Sequence, residues 1–134
     1  MATKNETNTL KFALVEFWKN IVGYGRSSRA EFWWAMLFYY YLPMIVLTII
    51  GEIVFAISHD DAVIGIFALL QALICLATIV PMFCVSVRRL HDAGHSAWNL
   101  LWLFLPVFGW IVLLVFWVEP SEPGKNKYGE ALVK

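Results

Sequence analysis

The chain has 134 residues, with ten Lys or Arg balanced by ten Asp or Glu, and 60% of its residues are hydrophobic against 15% charged. So little polar surface excludes an ordinary soluble domain, and so few basic residues exclude a nucleic-acid surface. Three apolar runs, residues 32–57, 64–87 and 97–118, fill more than half of the sequence and contain no Lys or Arg.

Residues 1–9 are polar and are expected to form a disordered lead to a single membrane domain over residues 10–130, with 131–134 as the C-terminal end. Leu10, Ala13, Leu14, Phe17, Trp18 and Ile21 follow helical spacing, while Lys11, Glu16, Lys19 and Asn20 gather on the opposite side. This pattern predicts an amphipathic helix, either lying in the membrane interface with its lysines at the headgroups or packed against the protein's own spans. Gly23-Tyr24-Gly25 ends it. Ser28-Arg29-Ala30-Glu31 then has the S-x-x-E form of a capping box before the first apolar run, and Pro43 is placed to kink that run.

A helix rises about 1.5 Å per residue and the hydrocarbon core is about 30 Å thick, so about 20 apolar residues cross it. Each run meets that length, and the expected fold is an all-α integral membrane protein with three transmembrane helices and the N-terminal interfacial helix. The polar segment before the first run and the length of that run are unlike a cleaved signal peptide, and the first run is expected to stay as an anchor. Lys4, Lys11, Lys19, Arg26 and Arg29 precede the first run, Arg88 and Arg89 follow the second, and the connection between them holds Asp60 and Asp61. The positive-inside rule therefore places the N-terminus in the cytoplasm. Asp60 and Asp61 also suit the start of the second helix as cap and dipole partner.

Three spans would put the tail outside, although it carries Lys125, Lys127 and Lys134 and although Pro106-Val107-Phe108-Gly109 interrupts the third run. A re-entrant hairpin would return the tail to the cytoplasm. Its arms would be too short to span, and its turn would leave backbone groups unpaired in lipid, which favours one kinked span.

Inside the runs, Glu52 and Gln71 form a candidate intramembrane polar site, with Glu52 near enough to the outer end to reach water. No continuous polar stripe crosses the bilayer, so a transport or channel role would require an oligomer. Gly51, Ala56, Gly65, Ala68, Ala72 and Ala77 offer small surfaces for helix contacts within or between copies.

Chemistry concentrates in Gly25-Arg26-Ser27-Ser28-Arg29-Ala30-Glu31 and Arg88-Arg89-Leu90-His91-Asp92-Ala93-Gly94-His95-Ser96. The expected topology puts both on the cytoplasmic side. Arginine forks grip phosphate oxygens in pairs, so Arg26, Arg29, Arg88 and Arg89 are candidates for an anionic headgroup site, with Glu31 or Asp92 holding the forks. The bland alternative is that the arginines only fix topology, as cations at a helix end beside anionic lipid. His91, Asp92 and His95 could approach a metal, but Gly94 favours a turn, a fourth ligand is missing and the arginines repel cations, so no metal or other cofactor is expected. A His91–Asp92 acid/base pair lacks a nucleophile, which argues against an enzyme.

Arg29-Ala30-Glu31-Phe32-Trp33, then Arg88-Arg89-Leu90-His91-Asp92 with Gly94 and Trp98, then Pro106 and Gly109-Trp110, then Pro123-Gly124-Lys125-Asn126-Lys127-Tyr128-Gly129 carry a resemblance to a known group. Over about residues 12–130 the chain resembles the bacterial inner-membrane family catalogued as domain of unknown function 805. The resemblance implies a small multi-pass inner-membrane protein without an established activity, and no role specific to His95. The combined expectation is a binding or assembly protein whose Arg/His/Asp cluster engages anionic phospholipid or a membrane partner, including a second copy. The alternatives are an oligomeric transport component and a membrane enzyme acting on lipid phosphates.

Overall fold

The computed structural model describes residues 10–19, 21 and 24–130, and the expected lead at 1–9 and end at 131–134 lie outside them. Helix α1, Leu10–Lys19, is followed by a continuous helical rod of α2 (Arg29–Met36), a π-helical turn (Leu37–Tyr41) and α3 (Leu42–Ser58). Helix α4, Asp61–Asp92, returns beside it. A 3-10 helix, Ala97–Phe104, and α5, Phe108–Val118, complete the set, and no strand is formed among the described residues.

Local chemistry explains the boundaries. Ser28 caps α2 by accepting from the Glu31 amide at 3.2 Å, and Asp60 caps α4 by accepting from the Ala62 amide at 2.9 Å. Between α3 and α4 the chain turns on His59, whose left-handed φ of 54° ends α3. Pro43 cannot donate to residue 39, and the ladder widens just before it, where the Leu42 amide bonds to Leu37 O across a π turn.

α1 does not stand apart from the bundle. Phe17 is fully buried with Phe32, Ala35 and Val85 and stacks on Tyr39 at 4.5 Å, and the Tyr39 hydroxyl donates to Leu14 O at 2.9 Å. Of the two alternatives, the structure shows the packing of Phe17 against the protein itself. Trp18 and Val15 stay exposed, and the Leu10 and Ala13 side chains lie outside the described set.

The third run departs from the single kinked span expected of it. The 3-10 helix and α5 form an antiparallel hairpin: Leu100 and Leu113 pack together against Val87 and Leu90, Trp110 Nε1 donates to Leu103 O at 3.2 Å, and His95 reaches Glu119. The 3-10 arm of eight residues and the α5 arm of 11 are each about 16 Å long, half the hydrocarbon thickness. The objection that such a turn strands backbone groups is met locally. Pro106 has no N–H, the Leu105, Phe108 and Gly109 amides bond to Trp102, Pro106 and Leu105 carbonyls, and the Trp110 indole serves a carbonyl of the opposite arm. Gly109 permits the close approach, since a Cβ there would lie 1.8 Å from Trp102 O.

Candidate functional site

The two predicted polar segments meet at the end of the bundle where α4 finishes. The start of α2 and the end of α4 are joined there by the Ser27 amide, which donates to Arg88 O at 3.1 Å. Asp92 is the hub: fully buried, it accepts from Arg26 Nε at 2.9 Å on one oxygen and from Arg89 Nη1 at 2.8 Å on the other, with the Ser121 hydroxyl also donating to the latter. A buried carboxylate between two guanidinium groups is stable only when its oxygens are hydrogen-bonded, and here three donors serve them, one on Oδ1 and two on Oδ2.

The guanidinium groups then reach past Asp92 to the chain leaving α5. Arg26 Nη1 donates to Gly124 O at 2.7 Å and Nη2 to the Asp92 and Glu122 carbonyls. Arg89 Nε donates to Trp117 O at 3.0 Å, and its Nη2 donates to Glu119 O. Apart from Asp92 O, which ends α4, these are carbonyls at the C-terminus of α5 and in the chain beyond it, where no helical N–H remains to serve them. The arginines thus close the end of the hairpin.

The tail lies over the same cluster. Glu122 N donates to Asp92 O at 2.8 Å, Asn126 Nδ2 to His91 O at 2.9 Å, and the Tyr128 ring stacks on His91 at 3.7 Å with the planes 6° apart. Asn126 and Gly129 pair through their backbones, which fixes the P-G-x-N-x-Y-G segment as a tight loop. Gly94, at φ 82°, makes room for it, because a Cβ there would lie 2.9 Å from a Glu122 carboxylate oxygen.

The four arginines of the candidate headgroup site are brought to this end but differ in state. Every guanidinium nitrogen of Arg26 and of Arg89 has an acceptor. Arg88 donates through Nη1 to Glu31 at 3.0 Å, while its buried Nε and Nη2 have no partner among the described residues. Arg29 is exposed, with Nη1 3.5 Å from Val118 O. Residues 29 and 31 are two steps apart on a helix, about 200° around its axis, so Arg29 and the Arg88–Glu31 pair occupy opposite sides of α2. His91 and His95 are also separated in role: His91 lies under Tyr128, and His95 pairs with Glu119 at 2.7 Å against the Phe116 ring.

Glu52 and Gln71 line one shallow pocket of about 120 Å³ between α3 and α4. Gln71 donates to Thr48 Oγ1 at 2.8 Å, and Glu52 is exposed. Sequence reasoning missed Glu119, Ser121 and Glu122 as partners. The tail motif marked residues 123–129 as a defined loop but not the surface they cover.

A chain whose charged end is its core, while its two long apolar helices bury only 6% of their most apolar windows, is an integral membrane protein. It belongs to the family described as protein of unknown function (DUF805), whose model matches residues 22–130. It is similar to the inner membrane protein YhaI of Escherichia coli K12, 39% identical over 83% of this chain and 86% of the relative. It is also similar to the inner membrane protein YhaH of the same organism, 31% identical over 83% of this chain and 88% of the relative. No solved structure matches it.

Proposed function

We propose that this is a multi-pass binding protein of the bacterial inner membrane that holds an anionic phospholipid headgroup at its cytoplasmic end. In this reading two helices cross the bilayer, the hairpin enters and leaves on one side, and both the start of α2 and the tail face the cytoplasm. Charge supports that arrangement. With the tail on the same side as Arg26 and Arg88, Lys125 and Lys127 join the other basic residues, and the opposite end keeps Asp60 and Asp61. The tail's contradiction of the positive-inside rule under three spans disappears.

The observation that carries the headgroup assignment is the exposed Arg29 guanidinium at the junction of α2 and the hairpin. Arg26 and Arg89 are the clamp that builds this end, and Arg29 is the fork left toward a phosphate. A binding role fits better than an enzymatic one, because Asp92 is occupied by Arg26, Arg89 and Ser121 and His91 is covered by Tyr128.

The test uses the full-length protein, extracted with native lipid and examined by native mass spectrometry beside Arg29→Ala. The wild type is expected to retain phosphatidylglycerol over phosphatidylethanolamine, and the variant to lose that preference while staying folded. Equal retention of the two lipids by the wild type overturns the assignment. Orientation is read separately by a fluorescent protein fused after Lys134, which is expected to mature in the cytoplasm.

A further inference from the structure

A cavity of about 750 Å³ lies between the α2–π turn, α4 and the hairpin, lined by Met36, Tyr40, Met82, Leu103, Trp110 and Trp117 among others. That is within the range of about 300–1,000 Å³ usual for ligand sites, and its walls are almost wholly apolar or aromatic. Empty space of this kind beside lipid invites filling by what surrounds it.

We infer that the cavity takes one acyl chain of the phospholipid whose headgroup rests at Arg29. The inference deepens the headgroup reading and rests on it for the identity of the lipid. Two features stand in the order in which a phospholipid carries its groups. Arg29, Trp33, Met36 and Tyr40 fall at i, i+4, i+7 and i+11, so the cation and two cavity walls share one face of the rod. Arg29 lies seven residues, about 10 Å, above Met36, a separation suited to a phosphate above a chain.

Between these levels is Trp117, whose ring lies 5.0 Å from that of Phe32, centroid to centroid. It belongs to the cavity wall at the α5 end nearest Arg29, seven residues beyond Trp110. Cation and apolar cavity then match phosphate and chain. The π turn contributes through Tyr40 and Tyr41, which the widened helix presents to the cavity just before Pro43.

The experiment uses the full-length protein in nanodiscs containing phosphatidylglycerol with a diazirine at the chain terminus, followed by peptide mapping after irradiation. Adducts are expected on the peptides carrying Met82, Leu103 and Trp110 in excess of those around Leu69 and Leu76, and Met36→Trp, which fills the cavity, is expected to abolish that excess. Even labelling of all lipid-facing helix surfaces overturns the inference, as does an unchanged excess in Met36→Trp or a cavity closed by a second copy of the chain. Arg29→Ala separates the two readings. Loss of lipid-class preference with the adduct pattern kept supports both. Adducts without any effect of Arg29 on class would leave the chain site standing and reject the headgroup assignment, whereas preference without adducts would reject the chain site alone.

Discussion

The two ends of α4 obey opposite rules. None of residues 61–77 is buried, although nearly all are apolar, whereas every residue from 84 to 92 is buried, including Arg88, Arg89, His91 and Asp92. In water the first half would be driven inward and the second outward. In lipid, apolar side chains gain nothing from exchanging acyl chains for protein, while charged groups and open helix ends must find partners inside the molecule. The fold's specificity is therefore concentrated in its polar end.

The largest expected effect comes from removing the hub. Asp92→Ala leaves Arg26 and Arg89 buried without their counter-charge, a loss of about 3–5 kcal/mol by comparison with other broken buried pairs. The protein is expected to fall sharply in membrane abundance and in thermal stability in detergent. Near-normal stability would mean that this end is hydrated and that the comparison of the two halves is wrong. Asp92→Asn distinguishes charge from shape, since the amide keeps an acceptor but no longer neutralises two guanidinium groups; it is expected to lie between Ala and wild type.

Gly109→Ala is expected to follow closely. The added methyl cannot coexist with Trp102 O at 1.8 Å, so the arms must separate, and overpacking of this kind costs about 1–3 kcal/mol. The measurement that sharpens the comparison is protease access to the tail alongside thermal stability. Parted arms should loosen Trp117 and Glu119 from Arg89 and raise cleavage within residues 121–129, while cleavage at the exposed α3–α4 turn at His59 stays as in the wild type. A stable Gly109→Ala protein with a protected tail would rule out the hairpin.

These elements were unequally legible in the sequence. Apolar runs, the Ser28 and Asp60 caps, the disturbance at Pro43 and the pairing of the two arginine segments all depend on residues within a few positions of each other, or on charge counted along the chain. The hairpin was visible as an alternative but set aside, because a run of 22 residues has the length and composition of a span, and hydropathy is indifferent to a chain that doubles back. Its markers were Pro106 and Gly109, but the decisive contact is between Trp102 and Gly109 on opposite arms. The clamp was half legible. Arg26, Arg88, Arg89 and Asp92 could be gathered by topology, yet the carbonyls of Trp117, Glu119, Glu122 and Gly124 that accept from them belong to the backbone, which carries no signature in residue type.

The smallest effect belongs to the other half of α4, and it carries equal weight for the argument. Leu76 is 70% exposed. In water, Leu→Ala at a buried site typically costs about 2–5 kcal/mol, and the same residue facing lipid exchanges one apolar contact for another. Leu76→Ala is expected to change thermal stability by less than about 0.5 kcal/mol, the usual range for substitutions away from packed features. A cost of several kcal/mol would show that this face is covered by protein, with a second copy against the small residues Ala72 and Ala77 on the same helix as the first surface to examine. The absence of an effect, set beside the collapse expected of Asp92→Ala 16 residues along the same helix, would show that one secondary structure is held by lipid at one end and by ion pairs at the other.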